Sequence, residues 1–217
     1  MVKDSDKTGN KPTIKVTANG PYLVKGLNDL NNSNGLPLEA RPAMTLCRCG
    51  ESANKPFCDG THLRIGFRGD KNENRVPDKM DDYSGKEITI HDNRGVCAHA
   101  GFCTDNSPAV FTMKEEPWIN PDADSPDKTA RTIRMCPSGA LSYTKDGTLY
   151  KDQARNPAII VSKDGPYYVV GGPLLEDPGG SKPESGEHYT LCRCGGSKNK
   201  PFCNGAHWYI DFKDDKN

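Results

Sequence analysis

Leu46-Cys47-Arg48-Cys49-Gly50-Glu51-Ser52-Ala53-Asn54-Lys55-Pro56-Phe57-Cys58-Asp59-Gly60-Thr61-His62 decides the reading of this chain. It returns as Leu191-Cys192-Arg193-Cys194-Gly195-Gly196-Ser197-Lys198-Asn199-Lys200-Pro201-Phe202-Cys203-Asn204-Gly205-Ala206-His207, 145 positions later. The offset holds upstream, where Pro12, Ile14, Val16, Gly20-Pro21-Tyr22, Val24 and Gly26 recur as Pro157, Ile159, Val161, Gly165-Pro166-Tyr167, Val169 and Gly171. It holds downstream too: Ile65, Phe67 and Lys71-Asn72 recur as Ile210, Phe212 and Lys216-Asn217. A constant offset of this kind marks an internal duplication. The chain divides into a flexible tail (1–11), a first repeat (12–72), an insert with its linkers (73–156) and a second repeat (157–217). Residues 73–79 and 146–156 are polar and read as those linkers.

Each repeat opens with alternation. Ile14 and Val16 point one way and Lys15 and Thr17 the other, before Asn19-Gly20-Pro21 turns the chain into Tyr22-Leu23-Val24. Ile159-Ile160-Val161, Lys163-Asp164-Gly165-Pro166 and Tyr167-Tyr168-Val169-Val170 repeat the pattern. Both read as hairpins, each followed by a polar loop and a short strand (Met44-Thr45-Leu46, Tyr189-Thr190-Leu191) that enters the cysteine segment. A lone hairpin is barely stable in water, so the two are expected to pair into one sheet about a pseudo-two-fold axis.

Composition supports a small-core protein held by something besides oil. Only 34% of the 217 residues are hydrophobic, Gly and Pro number 22 and 17, and nine residues are Cys. Lys+Arg equals Asp+Glu at 29 each, and no segment is strongly polarised, so a nucleic-acid partner is not expected. No stretch approaches the ~18–20 apolar residues of a membrane span, and residues 1–11 carry no apolar signal core. A cytoplasmic, reducing location follows as an expectation, and there cysteines read as metal ligands sooner than as disulfides.

The donor set is Cys47-x-Cys49-x8-Cys58-x3-His62 and Cys192-x-Cys194-x8-Cys203-x3-His207. The x3 spacing puts the last Cys and the His on one face of a helical turn. Asp59 and Asn204 are good N-cap types for that turn, whose positive end would suit a cluster that gains negative charge on reduction. Three thiolates and an imidazole suit either an iron–sulfur cluster or a structural zinc ion, and spacing alone leaves both open.

These segments resemble the CDGSH (NEET-type) iron–sulfur motif, which Ser52, Pro56, Ser197 and Pro201 also match; Asn204 stands where the family has Asp. The resemblance implies one 2Fe–2S cluster on Cys47, Cys49, Cys58 and His62 and a second on Cys192, Cys194, Cys203 and His207. It also implies an α+β fold in which two small β-rich modules exchange strands in a pseudo-dimeric β-cap, here within one chain. A His ligand would raise the potential relative to four thiolates and couple it to protons.

The insert reads β–α–β–α–β. Glu87-Ile88-Thr89-Ile90 is a strand, and Cys97 to Cys103 is a Gly-containing loop. Trp118-Ile119-Asn120-Pro121 is a short extended piece, and Ser125-Pro126-Asp127 starts a helix that runs to Met135. Ala140 to Tyr143 returns as a strand. Cys97-x5-Cys103 with a distant Cys136-Pro137 resembles half of a bacterial ferredoxin run, with Ala100 at the second Cys position. The stretch 83–143 is similar to the divergent single-cluster 4Fe–4S family, in its Cys-x-His-x3-Cys, Pro-Trp-Ile-x-Pro and Cys-Pro-Ser-Gly-Ala-Leu segments. Cys97, Cys103 and Cys136 are its candidate donors. Three readings stay open: His99 completes a 4Fe–4S site, the site is 3Fe–4S with His99 a loop residue, or no cluster forms. His91 and His188 fit no ligand spacing and read as surface residues; Trp118 and Trp208 read as packing residues.

No nucleophile–base pair or phosphate loop is visible, and Ser138 lies outside a Gly-x-Ser-x-Gly elbow, so no enzyme activity is expected. The leading reading is a monomeric electron-transfer protein that serves an unidentified redox partner. A cluster carrier or redox/pH sensor serving a cluster acceptor, and a zinc-built interaction module, are the alternatives.

Overall fold

A computed structural model describes residues 11–215 and 217. The tail reading therefore lies outside the described residues except at Lys11, as does the Lys216 end of the repeat. The first repeat builds β1 (Thr13–Val16), β2 (Tyr22–Lys25), β3 (Leu30–Asn31), β4 (Ala43–Leu46) and a one-turn α1 (Thr61–Arg64). The insert builds β5 (Met80–Ser84), β6 (Ile88–Asn93), α2 (Phe102–Asn106), α3 (Pro126–Ile133), β7 (Leu141–Lys145) and β8 (Thr148–Tyr150). The second repeat builds β9 (Ala158–Val161), β10 (Tyr167–Val170), β11 (Leu174–Glu176), β12 (Tyr189–Leu191) and a one-turn α4 (Ala206–Tyr209). The class is α+β, rich in strand. No helix among the described residues is long and apolar enough to cross a membrane.

Both hairpins form, but they do not join into one sheet. The strands make two four-stranded sheets, ordered β11-β1-β2-β4 and β12-β10-β9-β3. Each borrows one strand from the other repeat: β11 lies parallel to β1, with Thr13 opposite Leu174, and β3 lies parallel to β9, with Leu30 opposite Ile159. The reason is burial. Ile14, Val16, Tyr22 and Val24 of one repeat share a core with Ile159, Val161, Tyr167 and Val169 of the other. Edge-to-edge pairing would leave those rows facing water, at roughly 1.5–3 kcal/mol for each large apolar side chain.

The tyrosines of this core reach across the pseudo-two-fold reciprocally. Tyr22 Oη donates into the carbonyls of Cys192 and Pro201, at 2.9 and 3.0 Å. Tyr167 Oη donates into those of Cys47 and Pro56, at 2.9 and 3.0 Å. Cys49 and Cys194 meet as an isolated antiparallel bridge. A Cβ on Gly50 would sit 2.5 Å from the Cys194 carbonyl oxygen, and one on Gly195 2.4 Å from that of Cys49. Only glycine permits this approach, and both residues hold positive φ.

The insert is an antiparallel sheet, β5-β6-β7-β8, packed under α3. Ser125 caps α3 by accepting from Lys128 N. Two elements exceed the sequence reading: β5 precedes the first expected strand, and residues 148–150 of the supposed linker pair with β7 as β8. The insert is tied to the second repeat through its 181–188 segment. Lys151 pairs with Glu184 at 2.6 Å, Arg155 with Glu187 at 2.6 Å, and Ser185 Oγ donates to Asp152 at 2.6 Å. His188, read from sequence as a surface residue, is 2% exposed and bonded to Ser185 and Glu187. Alternation could not place it, because the segment is irregular and its burial comes from the docked insert.

Candidate metal centres

Each repeat delivers its donors from a rigid turn. Cys47 N donates to Pro56 O at 2.8 Å and Cys58 N to Thr45 O at 2.9 Å. Ser52 Oγ donates to Phe57 O at 2.6 Å and accepts from Asn54 N at 3.1 Å, so the motif serine is an internal strut. The second repeat copies each bond: Cys192 N to Pro201 O, Cys203 N to Thr190 O and Ser197 Oγ to Phe202 O.

The donors arrive as pairs. Cys47 and Cys49 Sγ lie 3.8 Å apart, as do Cys192 and Cys194. Cys58 Sγ lies 3.3 Å from His62 Nδ1, and Cys203 Sγ 3.5 Å from His207 Nδ1. Two ligands of one tetrahedral metal, with bonds of about 2.3 Å to sulfur and 2.0–2.1 Å to nitrogen, stand about 3.8 Å (S,S) or 3.5 Å (S,N) apart. Each pair thus fits one metal position. No group of three or more His, Cys, Asp or Glu among the described residues is drawn together as a single ion would need.

Local electrostatics favour a thiolate at the entry of each site. Contact with Cys49 holds the Cys47 thiol down, to about 6, against burial, and the N–H groups of Ser52, Gly50 and Cys49 assist. The proton then stays on Cys49, whose thiol is raised. Cys192 is lowered to about 6 in the same way by Cys194. Burial raises Cys58 and Cys203. Gly60 and Gly205, not Asp59 and Asn204, occupy the helix N-caps. The polar side chains act one residue earlier, with Asp59 Oδ1 accepting from Thr61 N at 3.0 Å and Asn204 Oδ1 from Ala206 N at 3.2 Å. With one turn of helix, the cysteine sulfurs draw on single amides instead of a long dipole: Gly60 N and Gly205 N each lie 3.4 Å from the preceding Cys Sγ.

Cys97, Cys103 and Cys136 line one cavity of about 120 Å³, together with His99, Asp92, Arg94, Trp118 and Ser138. Cys97 leaves the turn after β6, Cys103 sits in α2, and Cys136 follows α3. Burial raises the Cys97 thiol and takes Cys103 up to about 12. Arg94 lies 3.7 Å over the Trp118 ring, with its Nη1 3.6 Å from Cys97 Sγ. Trp118 is a packing residue here, 9% exposed. Asp92 was missed from sequence. It is 3% exposed, its Oδ1 has no hydrogen-bond partner, and burial raises its carboxyl to about 6. The available signal was an acid at the end of a buried strand, five residues before Cys97.

The cavity opens beside the second repeat's loop. A Cβ on Gly205 would lie 2.9 Å from His99 Cδ2, and Trp208 Nε1 donates to His99 O at 3.2 Å. Trp208 is therefore no core residue: it is 66% exposed and lies over the cavity loop. His207 is buried at 5% exposed, and Cys203 at 2%. In the first repeat Cys58 and His62 are half-buried, and nothing lies within 4 Å of a Cβ placed on Gly60.

Comparison with known proteins agrees with this layout. Residues 19–63 and 164–208 match the family described as iron-binding zinc finger, CDGSH type. Residues 83–146 match the divergent 4Fe–4S mono-cluster family. The uncharacterized protein YjdI of Escherichia coli (strain K12) is 38% identical over 61 residues, 28% of this chain and 80% of that protein. YjdI of Escherichia coli O157:H7 matches to the same extent. No solved structure matches the chain.

Proposed function

Because the chain belongs to the CDGSH iron–sulfur family, with a divergent 4Fe–4S domain between its two copies, we propose that it is an electron-transfer protein with three cluster sites. The observation that carries this reading is the pairing of donors. Two ligand pairs per repeat, each spaced for one tetrahedral metal, suit two irons bridged by sulfide better than one zinc ion. Cys47 with Cys49 and Cys58 with His62 hold one 2Fe–2S cluster; Cys192 with Cys194 and Cys203 with His207 hold the other. Cys97, Cys103 and Cys136 hold the third, as 3Fe–4S or 4Fe–4S. A fourth iron would need a non-thiolate donor, and the cavity offers His99 and Asp92. When bound, such clusters supply one-electron chemistry at potentials set by ligand charge, hydrogen bonding and exposure.

The protein residues supply placement. The exchanged strands and reciprocal tyrosines support the reading of an intrachain pseudo-dimeric β-cap in a monomer that needs no second copy. His99 and Trp208 hold the central cavity against the second repeat, leaving the first repeat's half-buried Cys58 and His62 as the outlet to a redox partner. The chain acts in the cytoplasm and is not an enzyme. The half-exposure of that one site favours a second reading, a cluster carrier that releases the first repeat's cluster to an acceptor.

Iron, sulfide and zinc per chain, with visible and EPR spectra of anaerobically purified protein, test the assignment. The two repeats together supply four irons and the central site three or four more. Zinc without sulfide overturns it. Reversible reduction with iron retained supports electron transfer, whereas transfer to an apo-ferredoxin within minutes supports the carrier. A chelator should strip the first repeat before the second, followed by loss of one 2Fe–2S signal ahead of the other; simultaneous loss removes the outlet argument.

A further inference from the structure

Arg48 and Arg193 hold the same place between the paired cysteines of the two repeats, and both are buried, at 3% and 0% exposed. Their surroundings differ in charge chiefly at one residue beside the guanidinium. Arg193 is satisfied on every nitrogen. Its Nε donates to Gly165 O at 2.8 Å, its Nη2 to Ser162 O at 2.8 Å, and its Nη1 to the Asp214 carboxylate. At the position 145 residues before Asp214 stands Gly69. Arg48 instead donates to the carbonyls of Thr17 and Gly69, at 3.0 and 2.8 Å. Its Nε has no partner, and no carboxylate pairs with it among the described residues' ion pairs. Asp177 is near enough for Arg48 to help hold its carboxyl below the ordinary range, but the two form no ion pair, and a buried guanidinium without a directly paired carboxylate is costly.

Where the missing carboxylate would be, there is a cavity of about 330 Å³. Arg48, Lys71 and Lys200 line it, with Gly69 and Ser181. Ser181 is 7% exposed, and its side chain faces the Asp177 carboxylate. Two acids lie at the same cavity, but both are engaged. Asp70 pairs with Arg68 at 3.1 Å, and the Asp177 carboxylate accepts from Gly179 N and Ser181 N at 3.0 and 3.1 Å. We propose that this cavity binds a small oxyanion, a phosphate or carboxylate group, which does for Arg48 what Asp214 does for Arg193. Arg48 Nε is the donor that awaits it, and Lys71 and Lys200 add charge. Such an anion lies behind the first repeat's cysteine pair and has no counterpart in the second.

The internal repeat supplies the test. Gly69→Asp brings in the carboxylate covalently. Its Cβ would meet Arg48 Nη1 at 2.6 Å, the movable end of a long side chain, which can swing to the Gly20 carbonyl as Arg193 does to that of Gly165. Titration calorimetry of the metal-loaded protein with inorganic phosphate in one arm and acetate in the other, against chloride at equal ionic strength, should show one saturable site. The arm that binds more tightly identifies the group. Gly69→Asp should weaken binding at least tenfold, and Lys71→Gln several-fold with the fold undisturbed. No saturable heat in either arm overturns the proposal, as does wild-type binding by Gly69→Asp or, should that variant not fold, by Lys71→Gln.

Discussion

The two repeats place the same donors with the same internal bonds, yet one is sealed and the other open. In the second repeat, Gly205 lies under His99, Trp208 covers the loop, and the 181–188 segment carries Ser185, Glu187 and His188 against the insert. The first repeat has Ala40, Pro42 and Ala43 at the matching positions, and its cysteine–histidine loop is bare. Duplication conserved the cages and left their outer surfaces free to diverge. One became a docking face for the third site, while the other kept access to solvent.

The buried arginines break that comparison most sharply. Asp214→Ala should leave Arg193 as an uncompensated buried charge and cost about 3–5 kcal/mol, the usual price of removing one partner. Calorimetric unfolding should place this variant well below Gly69→Ala, which deletes no counter-charge. Equal losses would mean that the Arg193 pair contributes nothing special.

A smaller effect should separate the two capping glycines. Both hold positive φ, so an alanine at either costs about 1–2 kcal/mol in strain. Gly205→Ala must also displace His99, whereas Gly60→Ala meets nothing. Denaturant unfolding should therefore show the larger loss at 205. Local hydrogen exchange in 97–103 should rise in that variant alone. Matching profiles would remove the contact between cavity and second repeat from the account.

The smallest effect is a pH slope. Burial holds His188 below its ordinary range, despite Glu187 close by, with Arg155 and Asp152 also facing it.

 

Arg155 pairs with Glu187 from the insert's last segment, so the charges around His188 come from both sides of the docked interface. The native histidine stays neutral, while the unfolded chain takes up a proton as pH falls below about 6.5. Stability should therefore drop as pH falls through that value, by up to about 1.4 kcal/mol per pH unit until the native pKa is reached. Thermal unfolding between pH 7.5 and 5.5 should show a shallower fall in His188→Gln than in the wild-type chain. An unchanged slope would mean that the insert is held without His188.

The cysteine and histidine positions were legible in the sequence because they are short-range. Cys-x-Cys and Cys-x3-His fix donor spacing within a few residues of backbone, and a repeat offset of 145 marks the duplication without any fold. The hairpins were legible for the same reason, since alternation and a Gly-Pro turn act locally. The exchanged strands were not. Leu30–Asn31 and Leu174–Glu176 are two and three residues long and lie in polar loops, and only the partner sheet's open edge makes them strands. His188 was misplaced because its burial depends on the docking of the insert on the second repeat. Asp92 was missed because it is buried by loops of the insert far from it in sequence, and Trp208 was misplaced because it lies exposed over the cavity loop and donates to His99 O.

By itself the sequence determined what the donors are, how they pair along the chain and that the set occurs twice, since all of this is local covalent spacing. Tertiary structure alone decided which copy is sealed, what the central cavity faces, and that Arg193 has a carboxylate while Arg48 has none. Those outcomes depend on the desolvation and pairing of groups far apart in the chain, and no spacing rule encodes either.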